Sequence, residues 1–103
     1  RGTDIAAPRG NEIRATNDGY VLFSGWTKGY GNVIILNHGW KGSKKISSVY
    51  AHQWRRIARK GQFVKKGQLI GYVGSTGYST GPHLHFEIRE NGTPVNPAKY
   101  VKF

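Results

Sequence analysis

Glycine punctuation limits this chain more than any other feature. Fifteen glycines break it into short runs rich in β-branched and aromatic residues, the pattern of an all-β domain with tight turns. The runs place candidate strands at Glu12–Thr16, Tyr20–Trp26, Asn32–His38, Ile46–His52, Gln68–Val73 and His83–Arg89. Asp18-Gly19 is read as the turn between the first two. Asn91-Gly92 is a two-residue hairpin signal, which should fold Phe86–Arg89 back onto a short strand near Pro94–Asn96. The tail from Pro97 to Phe103 is expected to form a turn of helix. Gly39–Lys45 reads as a basic loop, and Gly74–Pro82 as a polar loop running straight into a histidine pair. Lys60-Gly61-Gln62-Phe63-Val64 is followed by Lys66-Gly67-Gln68-Leu69-Ile70, a hairpin-like echo too short for a repeat architecture. The expected fold is all-β, an antiparallel sheet with an open groove.

At 103 residues the chain has room for one domain, and no linker divides it. Its hydrophobic fraction of 37%, Trp26, Trp40 and Trp54 included, suffices for one modest core and argues against simple disorder. No run reaches the ~18 apolar residues of a membrane span, and no amphipathic helical stretch is available to lie on a bilayer, so no membrane insertion is expected. Cysteine is absent. That excludes disulfides, thiolate metal sites and a cysteine nucleophile, and leaves the redox compartment open. Arg1 is not a native start and no signal peptide is visible, so the chain reads as an excised or processed domain. Sixteen Lys and Arg against five Asp and Glu give a formal charge of +11. The basic stretches (Lys41, Lys44, Lys45, Arg55, Arg56, Arg59, Lys60, Lys65 and Lys66) predict an acidic partner: nucleic acid, an anionic polymer or an anionic surface.

Four histidines are available for chemistry: His38, His52, His83 and His85. His83 and His85 flank Leu84, so in a strand they share one face with Cβ atoms roughly 6.5–7 Å apart, while Leu84 and Phe86 turn to the core. Two imidazoles on one face suit a shared metal site, and they equally suit two surface histidines. A zinc tetrahedron would need further carboxylate or imidazole ligands. Asp4, just before the apolar run Ile5-Ala6-Ala7, is one of only five acids; it fits that role or that of a turn residue. His52 ends its candidate strand, where a side chain projects into a cleft or simply into solvent. Glu87 shares the strand face of His85 and can either orient an imidazole or be a solvated strand charge, the plainer reading. Tyr30 and Tyr78, in loops, could flank a groove or be ordinary packing.

Taken together, Gly2-x-Asp4-Ile5, Tyr50-Ala51-His52 and Gly77-x-x-x-Gly81-Pro82-His83-Leu84-His85-Phe86-Glu87 resemble the M23 zinc metallopeptidases of the lysostaphin and LytM type. The resemblance runs through Val33–His38-Gly39, Val64–Gly71 and Pro94-Val95-Asn96-Pro97, essentially the whole chain, read as a single M23-like peptidase domain over residues 1–103. It implies a LytM-like fold with Asp4 and His85 as zinc ligands and His52 and His83 as catalytic histidines that do not bind the metal. His38 matches a common family position outside that set and is read as structural. The implied activity is zinc-dependent endopeptidase cleavage of peptide cross-links in bacterial peptidoglycan, by a monomer in the cell envelope, periplasmic or wall-associated. The +11 charge agrees with an anionic wall. No His-Glu-x-x-His helix supplies a carboxylate base, so histidine would have to orient or deprotonate the water.

One position departs from the pattern. The family motif is His-x-x-x-Asp, whose histidine would fall immediately before Arg1. The expectation is a domain truncated at its N-terminal edge, with that ligand upstream. Two ligands in place of three should hold zinc poorly and leave the 103-residue species inactive. The alternative is a catalytically inactive envelope module of the same fold that binds peptidoglycan or regulates another wall hydrolase. A nucleic-acid-binding barrel would use the same basic and aromatic residues but leaves Asp4, His52, His83 and His85 unexplained, so no specific nucleic-acid partner is expected. A biotinyl- or lipoyl-like carrier is set aside because no Met-Lys or Asp-Lys attachment dipeptide is present.

Overall fold

The structure, a computed structural model, describes residues 2–100. Its strands are β1 (Thr3–Ala6), β2 (Glu12–Arg14), β3 (Gly19–Thr27), β4 (Gly31–Lys41), β5 (Lys44–Arg56), β6 (Phe63–Val64), β7 (Leu69–Val73), β8 (His83–Glu90) and β9 (Thr93–Val95). One 3-10 turn, Pro97–Lys99, follows. The expected tail helix is confined to that turn, and residues 101–103 lie outside the described part. All strands join one antiparallel sheet in the order β1-β8-β5-β4-β3-β6, with β7 carrying β2 off β5 and β9 sharing β8 with β1. Among the described residues no helix is long and apolar enough to cross a membrane.

The long strand β5 organises the molecule. It pairs with β4 along one edge. On its other edge Ile46–Ala51 pair with β8, whereas Gln53–Arg56 pair with β7. The sheet forks at His52, whose φ of +60° lies in the left-handed region that a histidine seldom adopts. Alternation along β5 divides the core. Tyr50 packs with Ile34, Leu36, Ile70, Phe86 and Ile88 on one side, and Val49 and Ala51 pack with Val33 and Tyr30 on the other. Each fully buried aliphatic or aromatic side chain contributes about 1.5–3 kcal/mol.

Several details depart from the sequence reading. Gly39–Lys45 is no loop: β4 runs to Lys41 and β5 starts at Lys44, so Gly42-Ser43 alone make the turn, with Gly42 at φ +61°. Thr3–Ala6 is a strand because β8 offers it an edge. β2 pairs with β7 and not with β3, so Asp18-Gly19 links two strands that are not neighbours. The Lys-Gly-Gln echo is a repeated β-turn and not a hairpin. Gln62 N donates to Arg59 O and Gln68 N to Lys65 O, and each glutamine side chain accepts from the first residue of its own turn. Asn91 and Gly92 both have positive φ, as a type I′ hairpin requires, and the returning strand begins one residue earlier than expected. The three tryptophans stay out of the core: Trp26, Trp40 and Trp54 are 60%, 69% and 45% exposed. Among the described residues, the buried aromatics are Tyr50 and Phe86.

Candidate metal and catalytic site

The β1–β8 register sets Asp4 directly opposite His85 and Ala6 opposite His83, and β5 sets Ala51 opposite His85 from the other side. Asp4, His83 and His85 therefore share one face. His52 joins them from the fork. Its backbone N–H leaves the ladder to reach Tyr30 O at 2.8 Å, and its ring comes within 4.9 Å of His83 and 6.0 Å of His85, centroid to centroid. The structure thus brings together all four residues singled out in the sequence. They border a cleft of about 580 Å³ with Tyr78 and Ser79. A neighbouring hollow of about 280 Å³ extends past Tyr30 to Lys28. The loop 74–82 is held against the β3–β4 turn by two glycines. A Cβ on Gly31 would lie 2.5 Å from Gly77 N, and one on Gly77 would lie 2.3 Å from Gly31 N; both have positive φ.

Hydrogen bonds assign the ring nitrogens. His52 Nδ1 donates to Thr76 O at 2.6 Å and His83 Nδ1 to Gly81 O at 2.9 Å, so in each neutral ring Nε2 keeps its lone pair. His83 Nε2 lies 3.7 Å from Asp4 Oδ1. Burial pushes the His52 imidazole below its ordinary value, outweighing the Thr76 hydrogen bond. His85 stands between two carboxylates: its Nε2 faces Glu87 Oε2 at 2.8 Å and its Nδ1 faces Asp4 Oδ1 at 2.7 Å. A neutral ring has one N–H, so with that hydrogen on Glu87 the Asp4 contact sets two acceptors against each other, and a second proton or a metal cation has to lie between them. The hydrogen bond with His85 holds the Asp4 carboxyl below the usual carboxylate range. The carboxylate–imidazole pair fits a divalent cation in donor chemistry. Among the described residues no group of three His, Asp or Glu side chains is arranged to hold an ion by itself.

Glu87 is not the solvated charge that the plainer reading favoured. It is 2% exposed and accepts from Tyr30, His85 and Arg89. Desolvation raises its carboxyl, yet these three hydrogen bonds outweigh it and hold the group low. Burial, then the adjacent carboxylate, raises the Tyr30 hydroxyl and keeps it a donor. Tyr30 stacks on the His85 ring at 5.8 Å, so it belongs to the site, and Tyr78 is 88% exposed at the cleft rim. His38 lies in a separate network with Asp18 O and Ser48 Oγ, the structural place expected for it. Arg89 and Thr76 were missed. Period-two spacing from His83 through His85 and Glu87 was a signal for Arg89; Thr76 acts through its carbonyl, which no side-chain pattern marks.

Residues 1–97 match the family described as peptidase family M23. The chain belongs to that family. It is 47% identical over 96 residues to the DD-carboxypeptidase/endopeptidase Mpg of Neisseria meningitidis, covering 93% of this chain and 21% of the relative. It is 45% identical over 102 residues to the murein hydrolase activator NlpD of Salmonella dublin, covering 98% of this chain and 26% of that one. The chain thus spans about a fifth to a quarter of these relatives. Among solved structures, the catalytic domain of the antimicrobial peptidase lysostaphin from Staphylococcus simulans superposes with a TM-score of 0.86 at 35% identity, covering 96% of this chain and 76% of that one. A zinc-containing peptidase from Vibrio cholerae gives 0.83 at 39% identity, covering 91% and 28%. The M23, lysostaphin-like and all-β readings of the sequence all stand.

Proposed function

We propose that this M23 domain is a zinc-dependent endopeptidase that hydrolyses peptide cross-links of peptidoglycan in the bacterial envelope. The observation that carries the reading is the approach of Asp4 to His85 Nδ1 beside the lone pairs of His52 and His83. Asp4 and His85 would hold zinc, together with the residue that the family resemblance puts four positions before Asp4. Zinc bound there would polarise a peptide carbonyl and make water more acidic. His52 Nε2 and His83 Nε2 would accept a proton from the attacking water and return it to the leaving amine. The Thr76 and Gly81 carbonyls hold both rings in the required tautomer. The left-handed backbone at His52 is the kind of local strain found where a site dictates side-chain direction. With only Asp4 and His85 as ligands, the 103-residue chain would hold zinc weakly and turn over poorly.

Similarity to NlpD favours one second reading, a module that acts by regulating another wall hydrolase. Purified peptidoglycan incubated with a chain extended upstream of Arg1 separates the two. The enzyme reading expects new peptide amino termini that disappear with a chelator and return with zinc. Cleavage unaffected by chelator removes the metal mechanism. No cleavage alone, with stimulation of a second hydrolase, selects the regulatory module.

A further inference from the structure

The cluster behind His85 has a direction. Glu87 Oε2 accepts from His85 Nε2 and from the Tyr30 hydroxyl, Oε1 accepts from Arg89 Nε at 2.9 Å, and Arg89 Nη2 donates to Tyr30 Oη at 3.1 Å. Each of these hydrogen bonds is directed at Glu87 or at the Tyr30 oxygen, so the cluster presents an acceptor to His85 Nε2. Asp4 presents an acceptor to Nδ1 as well, but its side chain is 67% exposed against 2% for Glu87, so water can serve Asp4 while Glu87 depends on the ring N–H. Stacking against Tyr30 fixes the plane of the ring, so the acceptor fixes its tautomer as well.

We propose that Glu87, Tyr30 and Arg89 form a positioning clamp that locks His85 in its Nε2–H form and so reserves Nδ1 for a cation shared with Asp4. The tautomer is a property of the chain alone; only the cation rests on the zinc reading. Carboxylate partners of metal-binding histidines orient the ring and raise its basicity in just this way. Here Arg89 has a further part. It requires a full carboxylate at Glu87, because Arg89 and His85 reach opposite oxygens of the group, and an amide has an oxygen on one side only.

That requirement gives the test. In Glu87→Gln the Arg89 guanidinium is expected to take the single amide oxygen. The NH₂ group then faces His85 Nε2, which must become an acceptor, and the ring is forced into its Nδ1–H form. The nitrogen-15 shifts of His85, measured without metal at a pH where the ring is neutral, read this directly. The wild-type protein should show Nε2–H and Glu87→Gln should show Nδ1–H. Tyr30→Phe, which keeps both stack and carboxylate, should keep Nε2–H. Arg89→Met on the Glu87→Gln background frees the amide oxygen for His85 and should restore Nε2–H. It also removes the partly buried charge that could unfold the single variant, so the double variant still decides the matter if the single one does not fold. In the upstream-extended chain, zinc affinity measured by chelator competition should fall about 10–100-fold in Glu87→Gln and recover in the double variant.

A wild-type ring in the Nδ1–H form overturns the clamp, as does a folded Glu87→Gln that keeps Nε2–H, or a double variant in the Nδ1–H form. If the upstream-extended chain binds no zinc, the zinc reading fails and the nitrogen-15 result alone decides the clamp.

Discussion

His85 and His38 lie in the same sheet, and in both rings each nitrogen has a partner. Their partners differ in charge. His85 sits between the carboxylates of Asp4 and Glu87. His38 sits between the Asp18 backbone carbonyl and the Ser48 hydroxyl. Ser48 passes the chain on to the Tyr50 hydroxyl, which meets Thr16. The second network lies on the Tyr50 side of β5, and the first on the side of Val49 and Ala51. A neutral chain of hydroxyls satisfies a half-buried imidazole and gives it nothing further to do. Two carboxylates around one ring leave a place for positive charge. The difference teaches that the role of a histidine here follows from the charge of its partners, since backbone, fold and neighbouring strand are shared.

The largest effect that can break this comparison is loss of the Asp4–His85 pair. Asp4→Ala in the upstream-extended chain should bring chelator-sensitive cleavage of peptidoglycan down to background, while His38→Gln should leave it unchanged; retained turnover in Asp4→Ala would separate the carboxylate from the chemistry. Next, His52→Ala should lower kcat by about 10²–10⁴-fold with zinc content preserved, as checked by metal analysis of the same sample. On the other side of β5 the effect should appear in stability. Tyr50→Phe takes the Tyr50 hydroxyl from Thr16 and leaves Ser48 with His38 alone, and should cost about 1–3 kcal/mol in urea unfolding, with zinc affinity unmoved.

The smallest effect is a pH slope. Burial holds the folded His38 imidazole below its ordinary value of 6.5. The unfolded state therefore binds the extra proton first, and stability should fall as pH drops from about 6.5 toward the lower folded value. His52 is also held low by burial and contributes with the same sign. His38→Gln should make the slope shallower without abolishing it, as followed by denaturation midpoints between pH 7.5 and 5. An unchanged slope would mean that the His38 network does not feel the proton.

Much of this was legible in the sequence. Glycine spacing located most of the strands, Asn91-Gly92 announced its hairpin, and period-two alternation put His83 and His85 on one face. The order of Asp4, His52 and the histidine pair carried the family. Other features depend on distant partners. Thr3–Ala6 is strand only because β8 presents an edge. The Gly39–Lys45 stretch looked like a loop because its lysines masked a two-residue turn. The left-handed backbone at His52 arises from β5 changing partners, which no local pattern encodes. The tryptophans count toward the hydrophobic fraction that suffices for a core, yet Trp54 lies under the Arg9 guanidinium at the surface, and mostly Ile, Val and Leu fill the interior. Glu87 looked solvated because its burial depends on Tyr30, brought from a distant point in the chain to join Arg89 of the same strand.

Diffraction at the zinc absorption edge, from crystals of the zinc-loaded, upstream-extended chain, tests the central claim most directly. The account predicts one anomalous peak bonded to the Asp4 carboxylate and to His85 Nδ1, at about 2.0–2.2 Å from each, with His52 and His83 facing the ion and not bonded to it. A peak on His85 Nε2, a peak at His38, or no peak between Asp4 and His85 would contradict it.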